Sequence, residues 1–313
     1  MVAHNFLGAA LLLRGEIEEA RTHFDQAAEM RQERGPRMAH YDPAEHRPLP
    51  TRFREDPGVA ILFFRSKALW LLGYPDAALT DTDQALQYAR ASGFTVSLLW
   101  ALMASFFFVD SYCGNYTTVN ARLDEHIALA DEKDAPFFRA AGMVGRGWLL
   151  GLTGRAADAV KTITSGIAGY RSTGATKDLP AWLSYLAAAH AELGQLDAAW
   201  RCVGEAMAAI ETTKERWFEA EIHRTAGEIA LKSLEPDAAK AEGYFERALT
   251  IARSQQAKSW ELRAAMSMAR LWRDQGKVQQ ARELLAPVYG WFTEGFDTLD
   301  LKEAKVLLDE LHA

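Results

Sequence analysis

This sequence has few cysteines and no surplus of basic residues, and each shortage excludes a class of protein. Only Cys113 and Cys202 occur in 313 residues, without CxxC spacing. Neither a disulfide framework nor a zinc site is therefore indicated, and we expect a reducing, cytoplasmic location. The net charge is -7, whereas nucleic-acid binding needs a surplus of lysine and arginine to neutralise phosphates. We expect no nucleic-acid partner.

Hydrophobic runs long enough to span a membrane are also lacking. The longest apolar run, Phe94 to Val109, is shorter than a membrane span and ends at Asp110. The opening MVAHNFLGAALLLRGE lacks the basic first region of a signal peptide. The sequence therefore predicts a buried helix at 94–109 and no membrane partner.

Motifs for catalysis are missing as well. The sequence contains no GxxxxGK[ST], GxGxxG, GxSxG or HExxH match. The nearest approach to a metal cluster is His40, Asp42, Glu45 and His46, but its spacing fits no standard site, and such residues commonly form turns and helix caps. We predict no catalytic residues, no metal and no cofactor, and hence a protein that is not an enzyme.

One stretch, LSYLAAAHAELGQLDAAWRCVGEA from Leu183 to Ala206, shows what the chain is built from. Gly194 interrupts a helical pattern at a point where a Cβ would be strained. Small residues at Ala187 and Ala199 allow two helices to approach closely. The stretch predicts a helical hairpin, and it resembles a tetratricopeptide (TPR) repeat.

The hairpin pattern recurs along the whole chain. Turn glycines occur at 15, 73, 114, 154, 194 and 276, with gaps of 58, 41, 40, 40 and 82 residues. The last gap has room for one further hairpin, with its turn near Pro236. The sequence therefore predicts an all-α protein, a right-handed TPR superhelix of about seven hairpins with a period near 40.

Two segments depart from the repeat within this single superhelix of residues 1–313. Residues 35–58 hold five of the ten prolines and predict a loop between the first two hairpins. Residues 298–312 predict an amphipathic helix that caps the C-terminal end. The first helix has no such cover. We expect either that the chain was cut from a longer protein or that this helix docks on an upstream domain or a second subunit.

In TPR proteins the first helices line a concave groove that carries the ligand contacts. The resemblance places the following residues there: Lys67, Trp70, Phe108, Tyr112, Trp148, Arg224, Glu228, Arg270 and Arg273. The aromatic residues of the middle repeats suggest an apolar base of the groove, and the arginines toward the C-terminal end suggest a side that pairs with anions. The alternative is that the tryptophans pack between helices and the arginines are solvated.

Several segments resemble the C-terminal TPR region of bacterial signalling proteins that combine a class III adenylate/guanylate cyclase domain with an AAA-type ATPase domain. The resemblance is carried by YDPAEHR (41–47), DPGVA (56–60), ALWLLGYPDAAL (68–79), KERWFEAEIHR (214–224) and residues 257–311. A broader similarity is to MalT-like superhelical TPR domains. Neither the cyclase nor the ATPase domain is encoded in this sequence.

The resemblance implies a non-catalytic sensor or docking module. It would bind a protein, a peptide or a small-molecule inducer in its groove and regulate a cyclase- or ATPase-type signalling protein. A second hypothesis is a free-standing scaffold that assembles through the N-terminal helix, with Leu11 and Leu12 as contacts. A hydrolase that uses the His40/His46 loop is a third.

Overall fold

A computed structural model describes residues 1–33, 56–233 and 235–312 of the chain. Within these ranges the chain is helical and contains no β-strand, which confirms the predicted all-α class. The helices are α1 (Val2–Arg14), α2 (Ile17–Glu33), α3 (Pro57–Leu71), α4 (Pro75–Ser92), α5 (Thr95–Ala104), α6 (Asp110–Cys113), α7 (Tyr116–Glu132), α8 (Pro136–Leu152), α9 (Ala156–Ser172), α10 (Leu179–Glu192), α11 (Leu196–Thr213), α12 (Glu219–Leu231), α13 (Ala238–Ser254), α14 (Lys258–Asp274), α15 (Val278–Tyr289) and α16 (Leu299–Glu310).

Neighbouring helices pair as seven hairpins in the described ranges, and α16 follows the seventh. The first helices of these hairpins are α1, α3, α5 with α6, α8, α10, α12 and α14; the second helices are α2, α4, α7, α9, α11, α13 and α15. From the second hairpin onward, each first helix also packs on the second helix of the preceding hairpin. The hairpins therefore stack into an α-solenoid, as the repeat period predicts.

Small residues let the paired helices approach. In the fifth hairpin Ala187, Ala199 and Ala206 have no exposed surface, and Gly194 turns the chain with a φ of +70°. In the sixth hairpin a Cβ on Gly227 would lie 2.3 Å from Phe245 Cε1. The alanines and glycines of the repeat are thus the positions where a larger side chain would separate the two helices.

The third hairpin departs from regular helix geometry. Residues Ser105–Val109 form a π-helical segment that joins α5 to α6. Ser105 Oγ donates a hydrogen bond to Asp110 Oδ2 at 2.6 Å. By length and composition alone, Thr95–Cys113 is a helix that could cross a membrane, but most of it is buried inside this protein. Val119 also stands in this hairpin where the other turn glycines are followed, five residues later, by alanine, so the sequence and the π-helical insertion both depart from the repeat here.

Later hairpins of the superhelix lie on earlier ones. Arg216 N, just before the sixth hairpin, donates to Leu13 O of the first at 2.7 Å. Ser259 Oγ of the seventh hairpin donates to Trp70 O of the second. The helix α16 contacts α6 of the third. We call the first five hairpins the first layer, and the sixth and seventh hairpins with α16 the second layer. The two layers are therefore in direct contact.

The two ends of the solenoid differ. At the C-terminal end α16 packs on α14 and α15, and its Leu301, Ala304 and Leu308 are buried. At the other end α1 exposes Phe6 and Leu7. The described chain resumes at Asp56, whose carboxylate caps α3 by accepting from Gly58 N at 2.7 Å. The rest of the proline-rich loop predicted at 35–58, including His40, Asp42, Glu45 and His46, lies outside the described residues.

Candidate ligand-binding surface

The structure gathers five of the proposed groove residues on the superhelix axis. The rings of Trp70 and Tyr112 stack with centroids 4.6 Å apart, and Trp148 lies 6.1 Å from Tyr112. Lys67 Nζ lies 4.3 Å from the centroid of Phe108. Lys67, Trp70, Phe108 and Tyr112 are at most 5% exposed, and Trp148 is half-buried. These side chains fill the axis rather than line an open groove.

The axis is filled because aromatic residues from the second layer enter it. Trp260 meets the edge of Trp70 at 4.8 Å and that of Tyr112 at 5.3 Å. Trp217 meets Phe108 at 5.4 Å. The repeat alignment places both tryptophans near the start of a first helix, outside the groove positions. In the sequence, the feature that could have identified them is a bulky tryptophan at the end of two similar segments, KERW (214–217) and KSW (258–260).

A charged cluster is buried beside these rings. Lys67 Nζ lies 3.1 Å from the centroid of Trp217 and 3.6 Å from Asp178 Oδ1. Glu215 Oε2 accepts a hydrogen bond from Asp178 N at 2.8 Å. Burial lowers the pKa of the Lys67 ammonium and raises the pKa of the Glu215 carboxyl, because each loses its hydration. This cluster joins the second hairpin to the segments that precede the fifth and sixth.

A second charged cluster lies where α12, α14 and α16 meet. Glu221 accepts from Arg224 Nη2 at 2.8 Å and from Arg263 Nη2 at 3.1 Å. Arg263 Nη1 donates to Asp300 Oδ1 at 2.7 Å. Burial raises the pKa of Glu221, but the two guanidinium groups outweigh this effect and lower it overall. The proposed groove residues Arg224 and Glu228 form part of this network, with Nη1 and Oε1 3.2 Å apart.

The other two proposed arginines, Arg270 and Arg273, line a separate cleft between α14 and α16. The cleft has a volume of about 250 Å³, and its lining includes none of the aromatic residues of the axis. Arg270 Nη2 donates to Glu303 Oε2 at 2.8 Å, and Arg273 pairs with Glu310. Both arginine side chains keep more than a third of their surface exposed. Of the three proposed groove arginines, these two are more open to a ligand than Arg224, whose side chain is 17% exposed.

Two further clefts lie where the first helices of the fourth and fifth hairpins end. One, of about 470 Å³, is lined by Tyr116, Thr117, Asn120, Arg146, Leu149, Leu150, Thr153 and Arg155. The other, of about 550 Å³, is lined by Gly151, Leu152, Gly154, Arg155, Ala156, Ala157, Asp158, Glu192 and Leu193. Arg155 borders both clefts, which makes them neighbours on one surface.

Groups that could do chemistry are sparse in the described ranges. Those ranges contain no set of three or more histidine, cysteine or acidic side chains placed to hold a metal ion. Cys113 and Cys202 are both free and buried, and burial raises the pKa of each thiol. His223 is buried, and desolvation lowers its pKa. These residues lie singly in the packing of the helices.

Comparison with known proteins supports the repeat assignment. A tetratricopeptide repeat model matches residues 1–26 and 262–287, which belong to the first and seventh hairpins. No curated protein matches the sequence. Because the two matched segments lie at opposite ends of the described solenoid, they bracket the intervening hairpins.

Three solved structures are similar over nearly the whole fold. The apo form of RapI has a TM-score of 0.57 at 12% identity and covers 98% of each chain. Aspartyl phosphate phosphatase F from Bacillus subtilis has a TM-score of 0.57 at 16% identity, with 91% of this chain and 68% of that one covered. A Rap protein complexed with competence and sporulation factor has a TM-score of 0.58 at 12% identity, with 99% and 79% covered. At these identities the similarity extends to the fold alone: the chain is an α-solenoid of tetratricopeptide-type helical repeats.

Proposed function

We propose that this solenoid is a non-catalytic module that binds a protein or peptide partner through its concave face. The observation that carries the proposal is the composition of the axis, where aromatic rings lie beside the Lys67 cluster and the Glu221–Arg263 network. Buried ion pairs add little stability compared with apolar packing. Aromatic and arginine side chains, by contrast, contribute most of the energy at protein interfaces.

Access to the concave face requires the two layers of the solenoid to separate. The layers are joined by polar contacts, such as Arg216 N to Leu13 O and Ser259 Oγ to Trp70 O, and by ring contacts such as Trp70–Trp260 and Phe108–Trp217. A ligand that binds the open form shifts the population toward that form. The open Arg270/Arg273 cleft is the part of the proposed surface that a partner meets before opening.

The partner is proposed from two lines of support. A structurally similar Rap protein was solved in complex with competence and sporulation factor, which favours a protein or peptide over a small-molecule inducer. The sequence resemblance to cyclase–ATPase signalling proteins favours an enzyme of that type as the regulated protein. On this proposal, the present chain supplies regulation and the partner supplies catalysis.

A direct test mixes the purified chain with the cyclase–ATPase portion of a protein whose TPR region it resembles. We expect the ATP turnover of the partner to change in proportion to bound module. Arg270→Glu/Arg273→Glu should weaken this effect by about tenfold, because reversing anchor charges at an interface raises the dissociation rate. Arg282→Glu, on the exposed side of α15, is the matched control. Unchanged turnover at saturating module would refute the regulatory role.

A second candidate function, a scaffold that assembles through α1, is favoured by the exposure of its apolar side chains. Phe6 is 60% exposed and Leu7 is 48% exposed. Leu11 and Leu12, the contacts expected from the sequence, are instead buried in the first hairpin. The positions equivalent to Phe6 and Leu7 in the fourth hairpin, Gly145 and Arg146, face the preceding hairpin: a Cβ on Gly145 would lie 2.6 Å from Phe106 Cδ2, and Arg146 Nη1 donates to Asn120 Oδ1.

Light scattering distinguishes the scaffold from the sensor. The scaffold predicts a dimer or larger assembly that Phe6→Glu/Leu7→Glu converts to monomer. Val306→Glu, which changes a 57%-exposed side chain on α16, should leave the assembly intact. A monomer for the unaltered chain at all accessible concentrations would remove the scaffold from consideration.

A further inference from the structure

The hairpin turns of the first layer are covered by segments of the second layer. We call residues 214–217, 255–260 and 291–299 the covering segments. Each of them leads into a helix or closes a turn. A Cβ on Gly15 would lie 2.6 Å from Gln255 Nε2, one on Gly73 would lie 2.7 Å from the Trp291 ring, and one on Gly114 would lie 3.1 Å from Leu299 Cβ. The turns of the first two hairpins are therefore closed to solvent by the chain itself, and the turn of the third is partly covered.

The covering segments also satisfy backbone groups at those turns. Leu13 O, at the end of α1, accepts from Arg216 N at 2.7 Å and Trp217 N at 3.3 Å. At the second hairpin Ala77 N donates to Glu294 Oε1 at 3.0 Å. The last carbonyls and the first amides of a helix have no partner within the helix, so a covering segment supplies what the turn lacks.

Each covering segment carries a tryptophan at the contact. Trp217 and Trp260 enter the axis, and Trp291 packs edge to face on Tyr74 at 5.6 Å. At two first helices the recognition chemistry is therefore the same: donors of a tryptophan-bearing segment meet a carbonyl in the last turn, Leu13 O for α1 and Trp70 O for α3. Tryptophan is among the residues that contribute most at interfaces.

The turns of the fourth and fifth hairpins have the same construction but no cover. A Cβ on Gly154 or on Gly194 would meet nothing within 4 Å. The two clefts bordered by Arg155 lie beside these turns, and Leu193 is 38% exposed there. We call residues 149–158 and 190–195 the open turn surface. In the superhelix it occupies the place on which a further layer would rest.

We propose that the open turn surface is a second protein-binding site, distinct from the concave face, and that it takes a peptide segment with the chemistry of the covering segments. The occupant is a stretch of a partner protein that leads into a helix, presents free amide donors and carries a tryptophan. Its amides meet the carbonyl ends of α8 and α10, and its indole ring enters one of the two clefts. Continuity with the covered turns of the first and second hairpins is the basis of this assignment.

The test uses a synthetic peptide that copies residues 212–225 of this chain, titrated into the full-length protein by calorimetry. We expect saturable binding and slower hydrogen exchange at 149–158 and 190–195. A peptide with Trp217→Ala should bind about tenfold more weakly or worse, since the anchor ring is gone. Leu193→Asp in the protein should weaken binding similarly. Val278→Asp, which alters an exposed apolar residue near the seventh turn, should not.

Two results would overturn the assignment. The first is absence of saturable binding up to about 1 mM peptide, which excludes even a weak site. The second is slower exchange at the turns of the first and second hairpins instead, which would mean that the peptide displaces the covering segments of the chain. Neither result bears on the concave face, so failure here is distinguishable from failure of the proposed function.

Discussion

The indole rings of Trp70 and Trp260 meet edge to face on the superhelix axis, with centroids 4.8 Å apart, although one belongs to the second hairpin and the other to the seventh. Trp70 is 4% exposed and Trp260 is 1% exposed. The pair joins the two layers of the solenoid. It therefore links the stability of the fold to the accessibility of the proposed concave surface.

Removing one ring of this pair should loosen the two layers. Trp260→Ala is expected to lower the free energy of unfolding by about 3–5 kcal/mol, the range for emptying a large buried aromatic site. Trp291→Ala, which removes a ring that is 37% exposed, should cost clearly less. Denaturant titration followed by circular dichroism measures both. Equal losses would show that the axis contact is no stronger than the surface one.

The buried pair of Lys67 and Asp178 should show strong coupling. Asp178→Asn keeps a residue that tolerates the left-handed backbone there, at φ +63°, but leaves the ammonium without its carboxylate. We expect a loss of about 3 kcal/mol at pH 6, because breaking a buried ion pair from one side leaves an uncompensated charge.

Lys67→Met/Asp178→Asn should then recover part of that loss, since neither charge remains. Urea titrations of the two single variants and the double variant close the thermodynamic cycle. Purely additive losses would argue against a direct interaction between the two charges.

Overpacking should test the helix contact in the fifth hairpin. Ala199 has no exposed surface, so Ala199→Leu is expected to destabilise the protein by about 1–3 kcal/mol. Gly204 lies on the same helix, where an added Cβ meets nothing within 4 Å. Gly204→Ala should stabilise by up to about 1 kcal/mol through helix propensity. Thermal unfolding that responds alike to both changes would contradict this packing.

Stability should fall on acidification because of His126. Its Nε2 lies 2.9 Å from Phe138 O, its ring is buried, and burial lowers its pKa from 6.5 to about 4. Between those pH values the unfolded chain binds the proton and the folded chain does not. Folding stability is therefore full above pH 6.5 and decreases toward pH 4, by at most about 1.4 kcal/mol per pH unit.

Unfolding free energies measured across this pH range check the linkage. His126→Gln should flatten the slope, whereas His190→Gln, on the first helix of the fifth hairpin, serves as the comparison. A slope that is identical in the His126 variant would assign the acid sensitivity to other groups.

The repeat was predictable because its determinants are local. Turn glycines at 15, 73, 114, 154, 194 and 276 all adopt the left-handed conformation that their spacing implied. Fully buried Ala187, Ala199 and Ala206 occupy the close-approach positions. These features depend on residues within one hairpin of each other, so a single sequence reveals them.

The filled axis was not predictable, because it depends on the pitch of the whole superhelix. Alignment of the repeats placed Trp70 and Tyr112 on the concave side but gave no distance to the opposite wall. Small rotations accumulate over five hairpins before Trp260 reaches Trp70. Likewise, the exposed side of α1 could not be assigned from NFLGAALLL, which is apolar on most sides.

Contacts between the two layers change how this chain should melt. An open solenoid behaves as a one-dimensional array in which each unit touches only its neighbours and the ends fray first. In this chain Gly295 N donates to Asp76 Oδ2 at 3.0 Å across 219 residues, so the terminal hairpins are tied to the early ones. Fraying of the C-terminal end would expose the second hairpin, and the molecule should lose its structure in one concerted step.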